Sequence, residues 1–129
     1  MPSQTLTLNW VRQGESVTQQ VTLTADGEHN YDIPIPATNP LTDLQVDITL
    51  DVSELKSVYV WSDVAVTLEG NDAAGTQYSI ALAANKPLIW YTGCGWANPF
   101  TVDVSAMYVS KTGTATGTLK MRFLEDDTP

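Results

Sequence analysis

The sequence predicts an all-β domain: an antiparallel β-sandwich of the jelly-roll or immunoglobulin-like kind, with a small barrel as the alternative. Three observations lead to this prediction. The 129 residues include 17 Thr and 12 Val, and such β-branched residues favour strands. They occur in runs where apolar and polar residues alternate, which is the period of a half-buried strand. Gly, Pro, Asn and Asp separate these runs at short intervals, as turns do.

Two alternating runs at the start of the chain predict the first strands. Leu6, Leu8 and Trp10 alternate with polar residues in the first run, and 17–24 alternates in the second. The segment Arg-Gln-Gly-Glu at 12–15 supplies a turn between them. We therefore expect these strands to be half-buried, with their apolar face toward the core.

The middle of the chain supplies a crossing loop, a long strand and a hairpin. Proline cannot donate to an interior ladder, so the three Pro residues within 34–40 predict a crossing loop or a frayed sheet edge. Residues 44–52 alternate without interruption and predict the next strand. Residues 64–68 and 78–82 match as the two strands of a hairpin, joined by the polar loop 69–75.

A short internal echo links two places where a strand ends in Asp-Val-Ser. The first is at 51–55 and the second at 103–107. Asp and Ser side chains accept hydrogen bonds from nearby backbone N–H groups and can start one tight helical turn. Leu55 and Met107 would then close the end of the core. Two similar strand-to-strand crossings explain the echo better than a true duplication does.

A chain of 14.0 kDa is expected to form one domain, 1–129, whose core needs no disulfide. Residues 119–124 alternate and predict the last strand, after which the acidic tail 125–129 is predicted to be loose. The predicted core comprises ten apolar residues: Leu8, Trp10, Val46, Ile48, Leu50, Val64, Val66, Ile80, Leu82 and Phe123.

Composition argues against nucleic acid and membrane as partners. Six basic and fifteen acidic residues give a net charge of −9, and binding to a phosphate backbone needs clustered Lys and Arg. No stretch approaches the ~20 apolar residues of a membrane span. The amino terminus has neither the basic region nor the apolar run of a secretion signal. We therefore expect a protein made in the cytoplasm without a signal peptide.

Catalytic, metal and cofactor sites are not expected. Cys94 and His29 are each the single residue of their type, whereas zinc needs a cluster of such ligands and a thiolate nucleophile needs a nearby base. The acidic loops 26–32 and 69–72 leave calcium open, although neither has the spacing of an EF-hand. A small sandwich has little material for a catalytic cleft, so we expect no enzyme and no cofactor.

Residues 89–100 (Ile-Trp-Tyr-Thr-Gly-Cys-Gly-Trp-Ala-Asn-Pro-Phe) concentrate aromatic side chains. Alternation puts Trp90 and Tyr91 on opposite faces of a strand, so both cannot be core in a sheet with one wet face. The two Gly around Cys94 allow a turn that projects Trp96. The alternative is that all four rings cap the end of the sandwich. The predicted interface consists of four aromatic residues: Trp90, Tyr91, Trp96 and Phe100.

Exposed Trp and Tyr beside polar residues mark binding surfaces. One candidate ligand is a carbohydrate, whose sugar rings stack on such side chains. The other is protein, either another copy of the chain or a larger protein shell.

The run Ala83-Ala-Asn-Lys-Pro-Leu-Ile-Trp-Tyr-Thr-Gly93, the small size and the Thr/Val strands carry a family resemblance. In these features the chain resembles the small, acidic, β-rich accessory proteins of tailed bacteriophages, particularly head decoration (cement) proteins. The resemblance implies a non-enzymatic virion component, made in the host cytoplasm without a leader. It also implies that the chain binds a capsid or other virion protein and self-associates as a homo-oligomer such as a trimer. The alternative is a carbohydrate-binding β-sandwich module.

Overall fold

The computed structural model of the chain describes residues 2–75 and 77–126. Within them the chain forms ten β-strands and one short 3₁₀ turn, so the all-β prediction is confirmed. The strands are β1 (Ser3–Arg12), β2 (Glu15–Thr24), β3 (Gly27–Ile35), β4 (Leu41–Val46), β5 (Leu55–Ser62), β6 (Val66–Gly70), β7 (Ser79–Leu82), β8 (Leu88–Tyr91), β9 (Met107–Lys111) and β10 (Gly117–Glu125), and the 3₁₀ turn spans Val52–Glu54.

Eight of these strands form two antiparallel sheets. The front sheet has the order β3-β10-β5-β8 and the back sheet the order β4-β9-β6-β7. From β3 to β10 the chain changes sheet at every connection except the β6–β7 hairpin, which is the strand order of a jelly roll. Neither sheet closes on itself among the described residues, so the sandwich prediction is confirmed and the barrel alternative is not. β1 and β2 pair only with each other, as a separate two-stranded ribbon.

The core lies between the front and back sheets. In β5, Val58 and Val60 face inward and are buried, whereas Tyr59 between them faces outward. The rings of Phe100 and Phe123 lie edge to face at the centre, with centroids 5.7 Å apart. Eight of the ten predicted core residues belong to this core, with Ile80 partly buried and the others buried: Val46, Ile48, Leu50, Val64, Val66, Ile80, Leu82 and Phe123.

The prediction was wrong for Leu8 and Trp10, which lie in the separate ribbon. Their side chains are 36% and 69% exposed. The alternation did identify one face of a strand, but no second layer packs against that face in this part of the structure. Alternation therefore located an apolar face and could not tell whether anything packs against it.

The hairpin and the proline-rich segment fall where the sequence placed them. β6 pairs with β7 in register, with Val66 opposite Leu82 and Leu68 opposite Ile80. Pro34 lies near the end of β3, an edge strand of the front sheet, where its missing N–H disrupts no interior ladder.

The predicted strand 44–52 is shorter in the structure, because β4 ends at Val46. Beyond it, Leu50 still forms an isolated antiparallel bridge with Val104 and is buried. The alternation of buried and outward residues thus continues beyond the regular ladder, because an inward side chain packs in the core whether or not its backbone pairs with another strand.

The two Asp-Val-Ser segments behave differently. At the first, Asp51 accepts a 3.0 Å hydrogen bond from the Ser53 N–H and caps the 3₁₀ turn, as predicted. At the second no helical turn forms, and the Asp103 carboxylate accepts from the Val52 N–H at 3.0 Å. Because Leu50 and Val104 bring the two segments side by side, both aspartates stabilise the same turn.

The first two residues of the predicted tail 125–129, Glu125 and Asp126, belong to the sandwich. Glu125 is the last residue of β10 and is buried, and the Asp126 N–H donates to the Glu54 carbonyl at 2.9 Å. Residues 127–129 of the predicted tail lie outside the described part of the chain.

Candidate functional site

The β1–β2 ribbon, Ser3–Thr24, forms an arm. Its strands pair along ten positions, from Ser3 opposite Thr24 to Arg12 opposite Glu15. The turn between them contains Gly14 at φ +79°, a conformation that favours glycine. Every residue from 7 to 20 is exposed, and we call this segment the outer arm. Neither of its faces is covered by the sandwich.

The two faces of the outer arm differ in chemistry. One face carries Leu8, Trp10 and Val17, with Gln19 beside Leu8 and the Arg12–Glu15 pair at the turn end, and the cross-strand register sets Trp10 directly opposite Val17. The other face is mainly polar and hydrogen-bonds to itself, since Ser16 and Thr18 both donate to the Asn9 side-chain oxygen, at 3.1 and 3.0 Å. The polar face is therefore suited to water, and the apolar face lacks a covering layer.

Charge is almost absent from the arm. Arg12 and Glu15 are its charged residues, and they form an ion pair of 2.6 Å beside the turn. Their charges cancel, so the arm is formally neutral and the net charge of −9 belongs to the rest of the chain. A neutral, amphipathic projection on a strongly acidic domain is the most distinctive surface feature of the described residues.

At its base the arm meets the outer face of the front sheet. The Ser57 hydroxyl donates to the side-chain oxygen of Gln4. An open cleft of about 550 Å³ lies between the arm and the sheet, which is within the range of small-molecule sites. Eight of the residues that line it are apolar, aromatic or cationic: Leu6, Leu23, Val58, Tyr59, Ile89, Trp90, Tyr91 and Arg122.

Arg122 is the cation of this cleft and is held by its own sheet. Its guanidinium donates to the Tyr31 carbonyl at 3.1 Å and to the Asp32 carboxylate at 2.9 Å. It also donates to the Met121 carbonyl at 3.0 Å. These contacts fix the guanidinium plane beside Tyr59, the residue opposite Arg122 in the ladder.

The four aromatic residues of 89–100 do not form a single exposed patch. Phe100 is 1% exposed and lies in the core, and Tyr91 is buried on the outer side of β8. Trp90 is half-buried and packs against the core, and its indole N–H donates to the Trp96 carbonyl at 3.1 Å. Trp96 is 57% exposed and contacts the Tyr91 ring edge-on at 6.2 Å. Trp96 is thus the ring of the predicted interface that a partner can reach most directly.

Local geometry explains why Trp96 projects. Gly93 and Gly95 both have positive φ, +86° and +96°, so the chain turns sharply on either side of Cys94. The Cys94 N–H donates to the Tyr91 carbonyl at 3.1 Å, which closes the turn. The predicted opposition of Trp90 and Tyr91 is also present, because they pair with the inward Val58 and the outward Ser57.

Two features are absent from the described residues: a group of metal-ligating side chains and a membrane-spanning helix. Among residues 2–75 and 77–126, no three His, Cys, Asp or Glu side chains are grouped so that they could hold a metal ion. Over the same ranges, no helix has the length and apolarity needed to cross a bilayer.

Sequence reasoning missed the arm as a candidate site. It placed Leu8 and Trp10 in the core because alternation resembles that of any half-buried strand. Two signals in the sequence point to the arm. Trp10 and Val11 are adjacent apolar residues that must occupy opposite faces, and charge is confined to Arg12 and Glu15 over the whole segment 2–24.

No protein-family model, curated protein or solved structure matches this chain. Its class is defined by its own geometry: a jelly-roll β-sandwich that carries an amphipathic, neutral hairpin arm at its amino terminus.

Proposed function

We propose that this chain is a non-enzymatic structural protein of a bacteriophage particle. In this role it is a capsid decoration or cement protein that binds the shell and self-associates, without a cofactor. The observation that carries the proposal is the outer arm, whose Trp10 and Val17 are 69% and 53% exposed.

An arm of this kind is built for contact with another protein. A two-stranded hairpin is marginally stable by itself in water, and it gains stability when its apolar face is covered. Aromatic anchors at the centre of such a face dominate the free energy of association. Trp10 is positioned as that anchor, with Leu8 and Val17 beside it.

The fold supports the virion setting by analogy only. Jelly rolls occur in viral capsid proteins and in lectins, and a fold alone does not select between the functions it hosts. The phage setting rests on the resemblance carried by residues 83–93. The acidic surface of the sandwich favours a protein that stays soluble until it meets its shell.

The cleft below the arm favours a second candidate, a carbohydrate-binding module. Tyr59 presents a partly exposed ring beside the fixed guanidinium of Arg122, and Glu28 also lines the cleft. An aromatic platform with neighbouring charged hydrogen-bonding groups is suited to a sugar. The Trp96 ring provides a second exposed aromatic surface.

A protein inventory of purified particles tests the first candidate. Particles made from the genome that encodes the chain are purified by density gradient, and their proteins are identified and counted by mass spectrometry. We expect the chain at a stoichiometry of many copies per shell, and a Trp10→Ser variant at a clearly lower occupancy. Absence of the wild-type chain from the particles would refute the virion role.

Glycan titration tests the second candidate on the same protein. Tryptophan fluorescence is followed as soluble polysaccharides are added to the full chain. The structural proposal predicts no change. A saturable change that Tyr59→Ala abolishes and Trp10→Ser leaves intact would assign the cleft to sugar binding instead.

A further inference from the structure

We infer that the apolar face of the outer arm binds the same face on a second copy of this chain. The two arms pack face to face and run in opposite directions about a twofold axis. The inference rests on the proposed function, because it names the partner of the arm in self-association.

The first argument is that each of two such arms supplies the covering layer that the other's apolar face lacks. Each offers an apolar face and a polar face that is already hydrogen-bonded. Face-to-face packing of two ribbons buries both apolar faces and leaves both polar faces in water, as in any two-layer β structure. Contact between identical surfaces is also the geometry of a twofold dimer.

The second argument is charge. The chain outside the arm carries the whole net charge of −9, and it therefore repels a second copy wherever two sandwiches approach. The arm carries no net charge, and its Arg12–Glu15 ion pair is internal. A contact made by the arms alone is therefore the contact with the least electrostatic opposition.

Charge also selects the antiparallel arrangement. The outer arm extends about 20 Å, from six residues per strand at about 3.3 Å each. Arms that overlap in opposite directions hold the two sandwiches apart by about that distance, which exceeds the Debye length of about 8 Å at physiological salt. Parallel arms would bring the sandwiches together side by side.

The register of the arm then defines the contacts. The two central cross-strand pairs of the apolar face are Leu8 with Gln19 and Trp10 with Val17. A twofold axis between these pairs sets Trp10 of one copy over Leu8 of the other. It also sets Val17 over Gln19, so the Trp10–Leu8 contact occurs twice per dimer, once for each Trp.

The size of this contact indicates a weak, reversible dimer. A surface about 20 Å long and two strands, about 10 Å, wide covers about 200 Å² per copy, so the contact buries on the order of 500 Å² over both copies, which is below the range of stable specific interfaces. We expect a dissociation constant on the order of 100 µM, with one dominant aromatic anchor per copy.

Sedimentation equilibrium of the full chain tests the inference, at concentrations that bracket the expected constant. The chain offers a matched pair of variants, Trp10→Ser and Val11→Ser. The two residues are adjacent and are 69% and 68% exposed, but they lie on opposite faces of the arm. We expect Trp10→Ser to raise the dissociation constant by more than about 100-fold, because both copies of the dimer lose an interface anchor. We expect Val11→Ser to raise it less than about threefold, because its face stays in water.

Several results would overturn the inference. These are a monomer at all concentrations, a trimer as the limiting species, equal effects of the two variants, or a dimer lost on Trp96→Ser and retained on Trp10→Ser. Circular dichroism melts verify that each variant folds, which their exposure leads us to expect.

Failure of this inference and failure of the proposed function give different results. A chain that dimerises through Trp10 but is absent from particles keeps the inference and refutes the virion role. A chain that is present in particles but monomeric at all concentrations refutes the inference and keeps the virion role.

Discussion

Replacing Phe100 with alanine distinguishes a core residue from a surface residue within the aromatic stretch 89–100. Phe100 is 1% exposed, and its ring lies edge-on to both Tyr78 and Phe123 at centroid distances of 5.7 Å. It therefore links rings at the centre of the sandwich. Its nearest contrast in the same stretch is Trp96, which is 57% exposed and touches one ring, that of Tyr91.

The magnitude follows from burial and cavity formation. Phe→Ala in a core costs about 3–5 kcal/mol of unfolding free energy, and each lost edge-to-face pair contributes about 0.5–1.5 kcal/mol beyond burial. We expect Phe100→Ala to reduce the free energy of unfolding by about 4 kcal/mol, a large share of a total of about 5–15 kcal/mol. Trp96→Ala should cost less than about 1 kcal/mol, because its ring remains largely in water in the folded state.

Urea denaturation followed by circular dichroism measures both variants. With a slope of about 2 kcal/mol per molar urea, Phe100→Ala should lower the midpoint by about 2 M while leaving the slope unchanged. The matched Trp96→Ala should shift it by less than about 0.5 M. Equal shifts, or a larger shift for Trp96→Ala, would show that the core assignment of Phe100 is wrong.

Three further predictions concern buried polar groups and the charge of the sandwich. Lys111 is 6% exposed, and its ammonium donates to the carbonyls of Thr38 and Gly113 at 3.0 and 2.7 Å. Lys111→Met should therefore lower the free energy of unfolding, measured by thermal melts, by about 2 kcal/mol. An unchanged melting temperature would count against these hydrogen bonds. Burial raises the pKa of Tyr78 from 10.0 to about 12. The contribution of its neutral hydroxyl to the free energy of unfolding is therefore complete below pH 10 and is lost as the pH rises to about 12. Tyr78→Phe should accordingly flatten the fall in stability between those pH values, and an identical alkaline profile would contradict this. The dissociation constant of arm-mediated dimers should be raised at about 0.01 M salt, where the Debye length of about 30 Å exceeds the length of the arm, and should become constant above about 0.1 M. Dimerisation that weakens as salt rises would contradict the charge argument.

Local chemistry was sufficient to predict several elements from the sequence. The β6–β7 hairpin follows from two alternating runs around a polar loop, since both strands are half-buried and adjacent in the chain. The 3₁₀ turn at Val52–Glu54 follows from Asp51, whose side chain caps the backbone two residues ahead. In both cases the interaction that forms the element lies within a short segment.

β3, Gly27–Ile35, could not be predicted in this way. Its residues include Glu28, His29 and Asn30, so its alternation is weak, and its partner β10 lies about ninety positions away. Pairing supplies the ladder hydrogen bonds, and Tyr31 gains its edge contact with Phe123 at 6.2 Å only across that pair. β3 forms because it pairs with β10, and a local sequence pattern does not reveal a pairing with a distant segment.

The aromatic stretch shows the same division at the candidate site. The opposite orientations of Trp90 and Tyr91 follow from the two-residue period of a strand, and the projection of Trp96 follows from the two glycines around Cys94. The burial of Phe100 was decided by Tyr78 and Phe123, which meet it only in the folded sandwich.

By itself, the sequence determined that this protein is built of strands, where most of its turns lie, and which side chains share a face. Those properties depend on backbone periodicity and on turn residues, which act over a few positions. Only the tertiary structure decided which faces are covered. Leu8 and Val66 sit in equally regular alternation, yet Val66 packs inside the jelly roll and Leu8 lies on an arm with no second layer. The physical reason is that burial depends on contact with elements distant in the chain, and alternation has the same period whether or not that contact exists.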